Sequence, residues 1–234
     1  MTYGAVIFDL YNTLVPDMSP ADYRAALREM GEAVGLDAED FRRGWEITAD
    51  RRYTGEHATP ADTVREICRV RGLDPAEDAI AKAAAVREAA RRKYFTPRPD
   101  AVPTLTELRR RGLRLGLISD CSTETVPLWR ACPLVPLMDA AILSCEVGCR
   151  KPAPRIYQLA CDALKVRPED CIYVGDGASR ELTGAARAGM TALQLRLHDG
   201  LEAMRQQWSG PSVASLWDVV RFVERSAVPQ PTGP

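Results

Sequence analysis

The chain has two histidines, and none of its seven cysteines (68, 121, 132, 145, 149, 161 and 171) form a CxxC pair. A Cys/His zinc site is therefore not expected. Unpaired thiols in odd number read as reduced cysteines packed as small hydrophobes, as in a cytoplasmic protein. No apolar run approaches the ~18 residues that a membrane helix needs, so no membrane partner is expected. The opening MTYGAVIFDL has no basic segment and reaches an acid almost at once, which does not read as a signal peptide. Excess charge is missing too, with 31 Lys and Arg against 32 Asp and Glu. Nothing in that balance would grip a nucleic-acid backbone. A small anionic substrate is compatible, because a local site can be positive in a neutral protein. What is present is ordinary: 234 residues, 46% apolar and 27% charged. That suffices for one sizeable core with a smaller second unit.

Ala5-Val6-Ile7-Phe8 is a short apolar run ending at Asp9, which reads as a buried strand with an acid at its tip. The texture then changes. Ser19-Pro20-Ala21-Asp22 and Thr59-Pro60-Ala61-Asp62 each place a hydroxyl at the cap, Pro at the first helical position and an acid two residues later. Residues 76–94 are rich in Ala, Arg, Lys and Glu and suit a long amphipathic helix. The expectation is an all-helical insert of three or four helices over 16–96. Phe41 and Trp45, at helical spacing, read as its packing.

From Thr96-Pro97-Arg98-Pro99 onward, strands and helices alternate. Strands are expected near 113–118, 140–144, 171–174 and 191–195. Helices are expected up to Arg111, then near 123–131, 154–164, 180–188 and 215–226, with a disordered tail at 227–234. This pattern predicts an α/β core of 1–15 and 97–226, a Rossmann-like parallel sheet flanked by helices. Ligands of such sheets bind beyond the carboxyl ends of the strands. Three strands here end in a polar residue: Asp9, Ser119 and Asp176.

The residues Phe8-Asp9-Leu10-Tyr11-Asn12-Thr13 resemble the first motif of the haloacid dehalogenase superfamily, an Asp at a strand tip with Thr four residues on. Leu117-Ile118-Ser119 is similar to the second motif and Arg150-Lys151-Pro152-Ala153-Pro154 to the third. Val174-Gly175-Asp176-Gly177, followed by Glu181 and Gly184-Ala185, is similar to the fourth. The likeness covers roughly residues 4–195, with the helical insert where the family places a substrate cap. It implies a hydrolase with Asp9 as nucleophile, and Mg²⁺ held by Asp9, the backbone carbonyl of Tyr11, Asp176 and Glu181. Ser119 and Lys151 would hold the transferring oxygens, with Asn12 and Asp120 beside the substrate. Thr13 is expected to hydrogen-bond Asp9. A carboxylate nucleophile splits one hard displacement into two easier ones.

One position departs from the pattern. Family phosphatases carry a second Asp two residues after the nucleophile, as acid and base; here it is Tyr11. Phenol, with a reference pKa of about 10, is a poor base near neutrality. A non-acid there is familiar in the branch that cleaves carbon–halogen bonds, since halide leaves without a proton. The L-2-haloacid dehalogenases are therefore the rival reading, with Arg42 or Arg43 placed for a cap arginine, although exposed helix arginines are the plainer account of both. A non-catalytic binding module is the third. Asp176 and Glu181 favour a bound cation, and so a phosphatase of small phosphorylated metabolites. Arg51, Arg52, Tyr53, Thr54 and Gly55 read as a polar stretch, with a solvated helix end as the plainer account.

Overall fold

The computed structural model describes residues 3–196 and 207–227. Six parallel strands form one sheet: β1 (Ala5–Phe8), β2 (Arg114–Ser119), β3 (Ala140–Leu143), β4 (Cys171–Gly175), β5 (Thr191–Leu195) and the two-residue β6 (Ser212–Val213). Their order is β3-β2-β1-β4-β5-β6. Strands β1, β2 and β4 are apolar because both faces are covered. On one face Val6, Phe8, Leu115, Leu117 and Val174 pack with Leu105 and Val219. On the other Ala5, Ile7, Cys171 and Tyr173 pack with Ile156, Ala160 and Leu182. These contacts come from α6 (Ala101–Arg110) and α11 (Trp217–Ala227) on the first face. On the second they come from α9 (Pro154–Leu164) and α10 (Glu181–Arg187).

The chain builds outward from β1 through β2 to β3, then returns to lay β4 on β1's other side. The reversal makes β1 and β4 neighbours, pairing Phe8 with Val174. Asp9 and Asp176, each one residue past its strand, thus emerge side by side at the crevice such a reversal creates.

The insert holds five helices rather than three or four: α1 (Pro20–Ala33), α2 (Ala38–Ile47), α3 (Ala49–Tyr53), α4 (Pro60–Val70) and α5 (Glu77–Tyr94). Ser19 and Thr59 cap α1 and α4 as the sequence predicts, and Thr59 and Asp62 complete a reciprocal capping box. Leu27, Met30, Phe41, Trp45, Val64 and Ile67 form a separate buried cluster. The extra helix is α3, in the stretch expected to be a solvated helix end. Arg52 there is buried, with its guanidinium 4.0 Å over the Trp45 ring and Nη1 donating to Trp45 O at 2.7 Å. Burial pulls its pKa down to about 10. A planar, weakly hydrated guanidinium on an indole face tolerates this better than an ammonium would. The short helices α7 (Thr125–Arg130) and α8 (Ser144–Val147) complete the α-helices among the described residues. The expected tail lies outside the described residues from 228 onward; Ala227 closes α11. Among the described residues no helix is long and apolar enough to cross a membrane.

Candidate active site

Asp9, Asp176 and Glu181 meet beyond the ends of β1 and β4, one carboxylate oxygen of each lying within 4.8 Å of the others. All three are buried. Lys151 enters from the loop before α9, with Nζ 2.5 Å from Asp9 Oδ1 and 2.6 Å from Glu181 Oε2. The same ammonium donates to the Tyr173 hydroxyl at 3.2 Å, and that hydroxyl donates to Glu181 at 2.8 Å. The Gly177 N–H donates to the other Glu181 oxygen at 3.0 Å.

Local backbone choices set this geometry. Gly175 ends β4 without a side chain, and a Cβ there would stand 2.2 Å from Glu181 Oε1. The carboxylate of Glu181 fills that space. Between Asp176 and Glu181, Gly177, Ser179 and Arg180 all have left-handed φ values. A non-glycine residue in that region is strained, and such strain gathers at functional sites. The Tyr157 hydroxyl donates to Glu181 O at 2.9 Å, fixing the start of α10.

The electrostatics follow from burial. Asp9 is held well above the usual carboxylate range, first by burial and then by repulsion from Glu181, with Lys151 only partly offsetting both. Glu181 is raised too, by burial first, with Lys151 opposing and Asp176 adding repulsion. Burial alone would push Lys151 down, but the Asp9 and Glu181 carboxylates overcome it and hold the ammonium charged. One ammonium against three buried carboxylates leaves negative charge in excess. A site of oxygen donors with surplus negative charge suits a hard divalent cation.

Around this centre lie the other residues that the sequence singled out. Ser119 ends β2 fully buried, and its hydroxyl makes no hydrogen bond among the described residues. Asp120 accepts the backbone N–H of Lys151 at 2.9 Å, anchoring the lysine's loop to β2. Asn12 has φ 59°, and its Oδ1 accepts Asp17 N at 3.1 Å. The expected bond from Thr13 to Asp9 is not formed: the Thr13 hydroxyl is buried without a partner among the described residues. Asp9 Oδ1 is bonded by Lys151 instead, through a charge-assisted hydrogen bond.

Tyr11 is tied elsewhere. Its hydroxyl shares a 2.9 Å hydrogen bond with Thr125, its ring meets Phe95 edge-on at 6.1 Å, and the Arg91 guanidinium lies 4.4 Å over it. Burial raises its pKa further above the ordinary value, with Arg91 opposing, so the phenol stays neutral.

A haloacid dehalogenase-like hydrolase family model matches residues 3–189. The chain belongs to the haloacid dehalogenase-like hydrolases. Within this family it is 33% identical over 202 residues to the glyceraldehyde 3-phosphate phosphatase of Methanopyrus kandleri, covering 82% of this chain and 83% of that one. It is 25% identical to (S)-2-haloacid dehalogenase 4A of Burkholderia cepacia, covering 82% of each. The crystal structure of a 2-haloacid dehalogenase from Pseudomonas syringae pv. tomato superposes with a TM-score of 0.68 at 22% identity, covering 97% of this chain and all of that one. The last likeness speaks to fold alone.

Several members of this hydrolase's site escaped the sequence reading. A cavity of about 520 Å³ lies between the helical layer and the strand ends, lined by Asn12, Asp17, Tyr23, Tyr53, Arg91 and Asp176 among others. Arg91, from α5, pairs with Asp17. Arg87, one turn earlier, donates from Nε to Glu124 Oε1 at 2.9 Å, with both side chains buried. In the sequence both arginines are ordinary members of a charged helix. Only their spacing of four, which puts them on one face, hinted otherwise. Arg42, expected as an exposed helix arginine, is half-buried and reaches the cavity wall, held by Glu39 and Glu46. Arg43 is exposed and pairs with Glu39. Tyr173 was hidden as one apolar residue of a strand.

Proposed function

We propose that the chain is a Mg²⁺-dependent phosphatase acting on a small phosphorylated metabolite, with Asp9 as nucleophile. The observation that carries this reading is the convergence of the Asp9, Asp176 and Glu181 carboxylates, with Lys151 paired to Asp9 and Glu181. The Asp9 carboxylate attacks phosphorus, the bond to the leaving oxygen breaks, and an aspartyl phosphate forms on Asp9; water then cleaves it. Lys151 and the unpartnered Ser119 hydroxyl hold the phosphoryl oxygens as charge shifts onto them. Asp9, the Tyr11 carbonyl and Asp176, with Glu181 in support, would hold a Mg²⁺, which would supply positive charge against the repulsion between phosphate and the three carboxylates. The helices of 16–96 act as the cap, and the cavity beneath them takes the rest of the substrate.

Tyr11 sets the scope of the reaction. A neutral phenol bonded to Thr125 neither protonates a departing alkoxide efficiently nor activates water. Substrates whose leaving group departs unprotonated, such as acyl, enol or aryl phosphates, therefore turn over fastest. Tyr11 also favours a second reading, halide displacement from a 2-haloacid. Against it, two further buried acids beside Asp9 would repel a carboxylate substrate unless a cation were bound.

Paired assays separate the two: phosphate release with Mg²⁺ and halide release without it, on wild type and Asp9→Asn. Phosphate release that needs Mg²⁺ and disappears in Asp9→Asn is expected. Halide release without metal, with no phosphate released from any substrate, would replace this reading with the second.

A further inference from the structure

A pair of thiols outside the carboxylate centre bears on its geometry. Cys121, two residues past Ser119, is buried, and its sulfur lies 3.9 Å from that of half-buried Cys145. Ser144 clamps the two segments: its Oγ accepts Cys121 N at 2.9 Å and donates to Cys121 O at 3.2 Å. The loop after β2 and the first turn of α8 are thereby held in a fixed relation with the sulfurs facing. A disulfide needs them at about 2.05 Å, so the two segments must draw the sulfurs closer to form one.

We propose that Cys121 and Cys145 form a redox-active dithiol that a peroxide closes to an intramolecular disulfide, lowering the activity of the adjoining site. The contrast with the other cysteines supports this. Cys161 and Cys171 are also neighbours, but both are fully buried, beyond the reach of a dissolved oxidant. Cys145 combines access with a neighbouring thiol. The two sulfurs are also unequal: the contact with Cys121 lowers the pKa of Cys145, while that of Cys121 is raised by the same contact and then by burial. Cys145, the more exposed of the two sulfurs, is the one an oxidant reaches first.

In the first step the Cys145 thiolate attacks one peroxide oxygen. An S–O bond forms, the O–O bond breaks, and the departing hydroxide leaves as water after taking a proton. Cys145 becomes a sulfenic acid. Cys121 sulfur then attacks the Cys145 sulfur; S–S forms, S–O breaks, and the hydroxide lost takes the Cys121 proton as a second water. Two thiols give up two electrons and the peroxide receives them. A dithiol reductant reverses the change.

The link reaches the site by two routes. Cys121 directly follows Asp120, whose carboxylate anchors the Lys151 backbone, and Ser119 comes just before. On the other side Gly55 of the helical layer lies against Cys145, where a Cβ would stand 2.1 Å from Cys145 O. Drawing the two cysteines together shifts Asp120 relative to Lys151 and disturbs the Gly55 contact. A misplacement of about 1 Å in a positioning group costs up to ~100-fold in rate.

The test treats the full-length protein with hydrogen peroxide, alkylates remaining thiols, and maps cross-linked peptides. Free thiols should fall from seven to five, with Cys121 joined to Cys145. Mapping does not depend on the phosphatase reading; only the activity arm, Mg²⁺-dependent hydrolysis of p-nitrophenyl phosphate, rests on it. There a loss of about tenfold or more is expected, restored by dithiothreitol. Cys145→Ser should form no link and keep its activity under peroxide, while Cys121→Ser should leave a Cys145 sulfenic acid that dimedone traps. A Cys161–Cys171 link, or no link at all, overturns the dithiol. A Cys121–Cys145 link with unchanged turnover overturns its effect on the site. Absence of phosphatase activity in the reduced protein counts against the function proposed above and leaves the mapped dithiol standing.

Discussion

The phenol of Tyr11 and the hydroxyl of Thr125 share a 2.9 Å hydrogen bond that joins the loop after the nucleophile to the start of α7. With the hydroxyl so committed, Tyr11→Phe should leave turnover within about threefold of wild type and cost about 1 kcal/mol of stability. Loss of most activity in that variant would show the phenol taking part in the chemistry. Tyr11→Asp should instead raise the rate on alkyl phosphates relative to aryl phosphates by roughly 10²-fold, the scale of general acid–base catalysis. Steady-state kinetics on a matched alkyl and aryl pair measure both.

Asp9→Asn should abolish turnover while preserving the fold, since the amide keeps the shape of the carboxylate. Lys151→Met should do more. It leaves Asp9 and Glu181 facing each other without the shared ammonium, and breaking such a buried pairing costs about 3–5 kcal/mol. Thermal denaturation without divalent metal should show the larger fall for Lys151→Met. An equal melting temperature in the two variants would count against the lysine's role as charge balance.

Mg²⁺ should raise the melting temperature of the wild type, because a cation that binds the folded site stabilises it by about 2.7 kcal/mol at a hundred times its dissociation constant. Asp176→Asn should remove most of that rise. A thermal shift equal in wild type and Asp176→Asn would place the cation elsewhere.

Arg87 and Glu124 join α5 to the core inside the protein, and their pair predicts an acid limb of stability. Burial alone would raise the Glu124 carboxyl, but Arg87, the Ser122 hydroxyl and Arg91 together hold it below its ordinary value of 4.5. A carboxyl lowered in the folded state contributes stability that is present above pH 4.5 and is lost as pH falls through the native value. Melting temperature should therefore drop below that pH, and Glu124→Gln should flatten the drop while lowering stability near neutrality. Identical acid limbs in the two proteins would exclude the pair as their cause.

Much of the centre was legible from the chain. Asp9, Ser119, Lys151, Asp176 and Glu181 sit at strand tips, in a loop and at a helix start, where local pattern fixes backbone position. The parallel sheet and helical insert followed from periodicity, and the caps at Ser19 and Thr59 from residue type. Local pattern failed where partners lie far apart in sequence. Asp9 is bonded by Lys151, 142 residues away, and not by the nearby Thr13 hydroxyl. Arg52, read as solvated, lies buried on Trp45 because a fifth helix forms there.

What the sequence by itself determined is the family, the order of its elements and the residues at the strand ends, since hydrophobic period and turn chemistry act over a few neighbours. What only the tertiary structure decided is how those residues share charge and hydrogen bonds. One lysine serves two acids, a phenol is spent on Thr125, two arginines of α5 turn inward to Glu124 and Asp17, and two cysteines come within 3.9 Å. Each outcome is a competition among groups brought together by the sheet's reversal at β1 and by the helical layer laid over it. No local pattern records who wins, because in a buried site the winner is set by distance and desolvation.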